Sequence, residues 1–328
     1  ILTSGGTVSA VSSATRNAGH VSVDATNVYW VASQGTLFTA PLAGGAATPL
    51  ISASYHPQAI AIDSTSAYVA DVTGNILKAP LAGGPSVLLA TVEDSTMNIA
   101  VDSSSVYWTA PSLGTVLSVP IGGGTTTTLA SGQHYPQGLA VDSSKAYWVL
   151  GDGSVASVPL NGGTPTVLAP GRPMAVADPF FGIAVDLNNL YWADGGSVRS
   201  LPLAGGTPQV LTAFQPVSAV AVDAANVYWL SSMGTVGSVP IGGGAPTLLV
   251  SGQSDVYSPW AIAVDAKNIY FTDTGGFGRG YGAVKTVSIH GGPTRTIALQ
   301  QETAEGIAID STHVYWTDRL GTVLSAVK

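Results

Sequence analysis

The amino-acid sequence repeats one pattern along its whole length. An apolar residue followed by Asp recurs eight times at intervals of 37 to 45 residues, and a Tyr stands five residues after each of these Asp residues. In six of the eight cases the Tyr is followed by Trp. A repeat of this period indicates a chain built from copies of one structural unit, in which each copy buries its apolar face against the next. The pairs are Asp24/Tyr29, Asp63/Tyr68, Asp102/Tyr107, Asp142/Tyr147, Asp186/Tyr191, Asp223/Tyr228, Asp265/Tyr270 and Asp310/Tyr315.

Every repeat unit contains four short runs that are rich in β-branched and aromatic residues. In the third unit these runs cover residues 99–101, 106–109, 115–119 and 125–130, and turn-forming residues separate them. The chain has 40 Gly and 20 Pro but only 3 Glu and 5 Lys, so the usual formers of surface helices are scarce. Four strands per unit and eight units predict an all-β fold, an eight-bladed β-propeller with four antiparallel strands in each blade.

The two ends of the sequence complement each other. The eighth unit stops after its third strand, and residues 1–12 resemble the Gly-Gly turn and fourth strand of a unit. We therefore expect residues 1–12 to form the outer strand of blade 8 and to close the ring, which removes an open sheet edge. The chain is then a single domain, residues 1–328, with blades at 13–53, 54–92, 93–132, 133–172, 173–213, 214–253, 254–300 and 301–328.

Composition excludes several classes of function. The net charge is −8 and there is no basic run, so nucleic acid is a poor partner. No apolar stretch is long enough to span a membrane as a helix. The chain has no Cys, which removes disulfides and thiolate chemistry. The sequence requires no cofactor; the alternative is a Ca²⁺ ion in the channel, held by Glu305, Asn98 and the Asp residues of the top face.

A four-residue motif gives a family resemblance. Residues 315–318 read Tyr-Trp-Thr-Asp, and residues 270–273 and 191–194 are near matches. The chain thus resembles the extracellular YWTD repeats of the low-density-lipoprotein receptor (its class B repeats) and NHL-like bacterial propeller repeats. The resemblance implies a propeller, an extracellular, periplasmic or cell-surface location, and a bacterial secreted protein that we expect to be monomeric. YWTD domains have six blades whereas this chain has eight units, and Ala32, Ala110, Leu150 and Ser231 replace the motif's Asp in four of them.

The repeated residues themselves are predicted to be structural. Each repeat Asp ends the first strand of its unit and can accept hydrogen bonds from the N–H groups of the following turn. The rings of the Tyr-Trp pairs are expected to fill the space between blades. Functional residues should therefore lie where the repeat is interrupted.

The predicted topology brings these interruptions to one face of the ring. The loops between blades and the loops between the second and third strands share a face around the central channel, which we call the top face. Long or Pro-containing loops on this face are the candidate ligand-binding surface. The predicted site residues are Tyr55, His56, Gln58, His134, Tyr135, Gln137, Phe181, Tyr257, Trp260, Arg279, Tyr281 and Glu305.

Three functions are compatible with this surface. The favoured hypothesis is a secreted propeller that binds a carbohydrate or a peptide on the top face. The second is a lyase or hydrolase that acts on a polar polymer through His20 and Glu305 at the channel mouth, because blades 8 and 1 are adjacent across the ring closure. The third is a surface scaffold without a small-molecule site. The sequence contains no motif that requires catalysis, and binding is favoured over an enzymatic role.

Overall fold

The computed structural model describes residues 8–13, 18–32, 35–52, 56–96, 98–171, 182–194, 196–213, 217–231, 233–251, 259–274, 282–301, 303–318 and 320–328. These residues form eight four-stranded antiparallel sheets arranged in a ring, and they include no helix. The chain is an eight-bladed β-propeller, as predicted. Within the described residues no helix is long and apolar enough to cross a membrane.

Strands follow the chain order, and the first strand of the chain completes the last blade. The first strand is β1 (Ser9–Ser13), and blade 1 follows with β2 (Ala18–Val23), β3 (Asn27–Ala32), β4 (Thr36–Pro41) and β5 (Thr48–Ile51). Blade 2 has β6 (Pro57–Ile62), β7 (Ser66–Asp71), β8 (Asn75–Pro80) and β9 (Val87–Thr91), and blade 3 has β10 (Ile99–Val101), β11 (Ser105–Ala110), β12 (Thr115–Pro120) and β13 (Thr127–Ala130). Blade 4 has β14 (Leu139–Val141), β15 (Lys145–Val149), β16 (Val155–Pro159) and β17 (Thr166–Ala169).

Blades 5 to 8 have the same order of strands. Blade 5 has β18 (Ile183–Val185), β19 (Asn189–Ala193), β20 (Ser197–Pro202) and β21 (Gln209–Ala213), and blade 6 has β22 (Val217–Val222), β23 (Asn226–Ser231), β24 (Val236–Pro240) and β25 (Thr247–Val250). Blade 7 has β26 (Pro259–Val264), β27 (Asn268–Asp273), β28 (Gly282–Ser288) and β29 (Arg295–Gln301). Blade 8 has β30 (Ile307–Ile309), β31 (His313–Thr317) and β32 (Thr322–Val327).

The ring closes through the N-terminal strand. β1 pairs antiparallel with β32, and the sheet order of blade 8 is β1-β32-β31-β30. The innermost strands of neighbouring blades contact one another all the way round, including β30 with β2. The predicted closure is confirmed, and β32 is thereby paired on both sides instead of forming an open edge.

The hydrophobic core lies in the gaps between blades. Because successive residues of a strand point to opposite faces of its sheet, the Tyr and Trp of each pair enter different gaps. Tyr68 of blade 2 packs with Trp108 of blade 3, and Tyr107 of blade 3 packs with Trp148 of blade 4. The gap between blades 8 and 1 holds Tyr315 with Trp30. Each Tyr-Trp pair therefore supplies one ring to each of the two faces of its blade, which confirms the predicted packing role.

The repeat Asp residues cap the turns on the bottom face, which is the face opposite the top face. In blade 2, Oδ1 of Asp63 accepts hydrogen bonds from the backbone N–H groups of Thr65 (2.7 Å) and Ser66 (2.8 Å), and Oδ2 accepts from the Tyr68 hydroxyl (2.7 Å). The same three bonds recur in all eight blades, at Asp24, Asp63, Asp102, Asp142, Asp186, Asp223, Asp265 and Asp310.

This hydrogen bonding fixes the ionisation of the pair. Partial burial alone raises the pKa of Asp63, but the bonds from Thr65, Tyr68 and Ser66 outweigh it and the pKa lies below its usual value. Burial and the adjacent Asp24 raise the pKa of Tyr29 to about 12. The carboxylate and the phenol thus stay in the charge states that the hydrogen bond needs.

Candidate functional site on the top face

In most blades the loop between the second and third strands is a tight turn of one recurring geometry. In six blades a Gly with positive φ donates its N–H to the carbonyl three residues earlier, as Gly114 does to Pro111 (3.2 Å) and Gly234 to Ser231 (2.9 Å). The residue just before this Gly is the tip of the turn. Among the described tips are Thr73, Leu113, Asp152, Met233 and Leu320.

Three of these tips are apolar and exposed. Leu113 is 50% exposed, Met233 58% and Leu320 61%. Thr73 and Asp152 occupy the same position in turns of the same kind, so the fold accepts a polar residue there. The sequence prediction missed these three residues. The signal that identifies them is an apolar residue directly before the Gly of this turn.

The Pro-containing loops of blades 2 and 4 present exposed side chains in a constrained backbone. His56 and Tyr135 each stand directly before a Pro, and both have left-handed backbones, with φ of 50° and 53°. His56 is exposed, and Tyr135 is 47% exposed. A positive φ is uncommon for residues other than Gly and carries strain unless the surroundings hold it. The two loops thus share one backbone geometry, in which an exposed residue with a left-handed backbone precedes the Pro.

Hydrogen bonds tie both loops to the tight turn of their own blade. The N–H of Val72 donates to the His56 carbonyl (3.2 Å), and the N–H of Gly151 donates to the His134 carbonyl (3.0 Å). The two Gln residues that follow in these loops are less accessible. Gln58 is half-buried and its Oε1 lies 3.4 Å from the Ser95 hydroxyl, while Gln137 is buried.

His134, Tyr135 and Asp152 are gathered around Gly151 in blade 4. A Cβ on Gly151 would lie 3.0 Å from the Tyr135 Cβ and 3.5 Å from Nδ1 of His134. A Cβ on Gly171 would lie 2.8 Å from the Asp152 Cγ. Neither Gly has a positive φ, so the missing side chain is needed for space and not for backbone conformation. Two glycines therefore leave room around this turn for the His134 imidazole, the Cβ of Tyr135 and the Asp152 carboxylate.

The junction between blades 8 and 1 brings the neighbourhoods of Glu305 and His20 together. The N–H of Glu305 donates to the Thr317 carbonyl (3.0 Å), and Oγ1 of Thr317 donates to the carbonyl of Gly19, next to His20 (2.6 Å). His20 lies on the innermost strand of blade 1, where it stays accessible to solvent although the protein around it desolvates the imidazole and so lowers its pKa. A neutral imidazole results at neutral pH.

The remaining predicted site residues have different outcomes. Trp260, on the inner strand of blade 7, is 43% exposed. Tyr55, Phe181, Tyr257, Arg279 and Tyr281 lie outside the described residues.

A second set of carboxylates belongs to the top-face turns and is structural. Asp71, Asp194, Asp273 and Asp318, the last residues of the four-residue motif, are all buried. Oδ2 of Asp194 lies 2.8 Å from Nε of Arg199, and Oδ2 of Asp273 lies 3.7 Å from Nζ of Lys285. The described part of the chain has no group of three or more His, Asp or Glu side chains placed to hold a metal ion.

A cleft of about 690 Å³ opens on the bottom face, between blades 3 and 4. Its walls include Asp102, Tyr107 and Asp142, together with serines of the adjoining turns. Both oxygens of Asp102 already accept hydrogen bonds from Tyr107 and the turn. The carboxylates of this cleft therefore have a structural role in the repeat.

The site and the fold together define a propeller with a rigid ring and an irregular, partly apolar top face. No known protein-family model matches the chain, and no curated protein matches it. The YWTD resemblance therefore stays an interpretation of the motif residues. Several solved structures share the fold. The computationally designed Ika8 protein has a TM-score of 0.80 at 18% identity, over 97% of this chain and 99% of that one.

Two natural proteins are similar to the chain in fold. BamB from Moraxella catarrhalis has a TM-score of 0.73 at 14% identity, with both chains covered completely (100%). Virginiamycin B lyase from Staphylococcus aureus has a TM-score of 0.63 at 13% identity, over 83% of this chain and 94% of that one. A catalytically inactive variant of that lyase has been solved with quinupristin. At these identities the likeness concerns the fold alone.

Proposed function

We propose that this propeller is a binding protein that holds a polypeptide ligand on its top face. The observation that carries the proposal is the set of apolar turn tips, Leu113, Met233 and Leu320. Each is at least half exposed, and each occupies a position where other blades have Thr73 or Asp152. Because the turn does not need an apolar side chain there, exposure of three of them on one face supports an interaction surface.

The chemistry of this surface favours a polypeptide over a carbohydrate. Sugars stack on aromatic rings and hydrogen-bond through their hydroxyl groups, and aliphatic tips offer them little. Leu and Met side chains are suited to burying the apolar side chains of a peptide or protein. Tyr135 and Trp260 add exposed rings on the same face, and such aromatic residues commonly anchor protein interfaces. The extracellular or periplasmic location inferred from the sequence is part of this proposal.

The positions of the exposed residues suggest how the ligand lies. Leu113, Tyr135, Met233, Trp260 and Leu320 belong to blades 3, 4, 6, 7 and 8, so they are distributed around the ring. A ligand that contacts several of them crosses the face instead of entering one cleft. The rigid ring supplies a preorganised surface, which lowers the entropic cost of binding.

The test is selection from a phage-displayed library of random peptides on the immobilised protein, with a glycan array in parallel. We expect enriched peptides rich in apolar residues. Their binding should be lost in the triple variant Leu113→Ser/Met233→Ser/Leu320→Ser and weakened in Trp260→Ala. The matched control is Leu187→Ser, because Leu187 is an exposed Leu (95%) in a bottom-face turn.

Two results would contradict the proposal. Peptide binding that survives the triple variant at full strength removes the turn tips from the site. Binding on the glycan array without peptide enrichment, lost in Trp260→Ala, transfers the function to carbohydrate. Thermal unfolding of each variant separates loss of binding from loss of folding.

A second function has one specific observation in its favour. His20 has a lowered pKa and an exposed side chain, and the ring closure brings its strand beside Glu305. A neutral imidazole can act as a general base, with the carboxyl group as its partner, in a lyase or hydrolase. The fold of the S. aureus lyase is compatible with this alternative. Quinupristin, followed by chromatography and mass spectrometry, is the first substrate to test; turnover that disappears in His20→Ala and Glu305→Gln would establish it, and no turnover would remove this substrate.

A further inference from the structure

We propose that the cluster of His134, Tyr135 and Asp152 in blade 4 is a subsite for a cationic side chain, an Arg or Lys of the bound ligand. This inference deepens the proposed function and rests on it for the ligand class, a polypeptide. The site itself is argued from the geometry of blade 4.

The hydrogen bonds of the Asp152 carboxylate suit such a site. Its Oδ1 accepts hydrogen bonds from the N–H of Ser154 (2.9 Å) and from the Ser154 hydroxyl. The hydrogen bonds that the described residues make to this carboxylate fall on Oδ1, and a donor from the ligand would meet Oδ2. The Ser154 bonds hold the side chain in place, so the carboxylate is oriented before a ligand arrives.

The charge state of Asp152 supports the geometry. Burial alone raises its pKa, but the bonds from Ser154 and the nearby imidazole of His134 outweigh burial and bring the pKa below its usual value. The carboxylate is therefore ionised at neutral pH. In the next blade the carboxylate of Asp194 already has Arg199 as its partner, whereas Asp152 is paired with no Lys or Arg among the described residues.

Tyr135 supplies the second contact. Tyr135 is 47% exposed, its Cβ lies close to Gly151, the residue before Asp152, and its backbone is left-handed (φ 53°). A guanidinium or ammonium group that reaches the carboxylate from solvent can lie against the Tyr135 ring, which adds a cation–π interaction. Planar Arg fits a carboxylate with an adjacent ring better than Lys does.

The glycines explain why this subsite belongs to blade 4. A Cβ on Gly171 would lie 2.4 Å from the Asp152 carbonyl oxygen and 2.9 Å from its Oδ1, and a Cβ on Gly151 would crowd Tyr135. The turn tips of blades 3, 6 and 8 are apolar instead of acidic. The top face thus combines apolar contacts on several blades with one anionic position, and a ligand with a basic residue beside apolar ones complements it.

The probe is N-acetyl-argininamide, and its neutral isostere N-acetyl-citrullinamide is the control ligand; binding is followed by NMR shifts of the His134 and Tyr135 rings. We expect the arginine compound to bind and the citrulline compound to bind about tenfold more weakly or worse. Asp152→Asn should remove this difference, and Tyr135→Leu should weaken binding of the cation while the fold stays intact. Glu93→Gln, which changes an exposed carboxylate between blades 2 and 3, should have no effect.

Several outcomes would overturn the inference. Equal binding of both compounds, or undiminished binding to Asp152→Asn, removes the carboxylate from recognition. Binding of methyl glucoside at the same residues, without binding of the cation, makes the site a polyol site. The triple turn-tip variant should still bind N-acetyl-argininamide, so this inference and the proposed function can fail separately.

Discussion

Oγ1 of Thr317 donates a hydrogen bond of 2.6 Å to the carbonyl of Gly19, across 298 residues of sequence. The same oxygen accepts from the N–H of Gly306 in its own blade (3.0 Å). One buried hydroxyl therefore joins the inner strand of blade 8 to that of blade 1, at the place where the ring closes.

The same hydrogen bond between neighbouring blades recurs wherever the repeat has Thr two residues after its Tyr. Thr109 donates to the carbonyl of Gln137 in the next blade (2.9 Å), and Thr272 donates to that of Glu305 (3.0 Å). The Thr of the motif thus has a physical role that its position in the repeat does not reveal. Its hydroxyl binds the carbonyl of the residue that stands five places before the repeat Asp of the next blade. That residue lies at the channel mouth.

We predict that Thr317→Val lowers the stability of the ring. The substitution keeps the shape of the side chain but leaves the N–H of Gly306 and the carbonyl of Gly19 without this buried partner, a loss of about 1–3 kcal/mol. Chemical denaturation measures the change. Thr128→Val, on the exposed side of an outer strand, is the control. Equal effects of the two substitutions would contradict a stabilising role for the hydrogen bonds of Thr317.

The bottom-face Asp residues predict acid sensitivity. The pKa values of Asp24, Asp63, Asp102, Asp142, Asp265 and Asp310 all lie below the usual value; partial burial opposes the shift, and hydrogen bonds from the turn and a Tyr or Lys partner outweigh it. A lowered folded-state pKa stabilises the protein above the unfolded-state value of about 4, and this contribution is lost as the pH falls through the folded-state pKa. Burial raises the pKa of Asp318, so this one residue has the opposite effect on the pH dependence of stability.

We therefore expect Tm to be nearly constant from neutral pH down to about pH 5 and to fall steeply below about pH 4. Differential scanning calorimetry across this range measures it. Asp63→Asn should be less stable than the wild type at neutral pH and should lose less on acidification. Glu93→Gln is the control. A variant whose pH profile runs parallel to that of the wild type would show that Asp63 does not contribute.

Gly237 allows a different test of packing between strands. It pairs across the sheet with Trp229, and a Cβ at this position would lie 2.1 Å from the indole ring. Gly237→Ala must therefore move a buried Trp, and we expect a loss of about 1–3 kcal/mol. Gly242→Ala is the matched control, because a Cβ there meets nothing within 4 Å. If both variants unfold at the same denaturant concentration, the indole is free to shift.

The repeat explains why so much of the fold could be predicted from the sequence. A period that carries Asp and Tyr at fixed spacing identifies blades, and the bonds from the turn N–H groups to Asp63 are local enough to infer from a few residues of sequence. The bond from the Tyr68 hydroxyl to Asp63 was not predicted. The alternation of strand side chains likewise explains Tyr107 and Trp108. Interactions between positions within one unit are readable because the unit is repeated.

The candidate binding surface was harder to predict because it depends on departures from the repeat and on contacts between blades. Leu113 looked like an ordinary loop residue, since only the turn geometry shows that it is a tip. Asp152 joins His134 because two glycines remove steric barriers, and sequence spacing does not show such space. The partner of Thr317 lies at the other end of the chain. His56, Tyr135 and Trp260 were accessible to sequence reasoning because Pro-containing loops stand out from the repeat.

The ring closure leads to a prediction about one side chain of β1. Val11 is 6% exposed and packs with Val28 and Trp30 of blade 1 and with Tyr315 and Val323 of blade 8. Val11→Asp places a charge in this apolar gap and should detach β1, which leaves β32 as an open edge. We expect a clear fall in Tm and faster exchange of the β32 amide hydrogens, measured by mass spectrometry. The adjacent Ala10→Asp changes an exposed position and should leave both quantities near the wild-type values; a Val11→Asp variant that does the same would mean that β1 adds nothing to the closed ring.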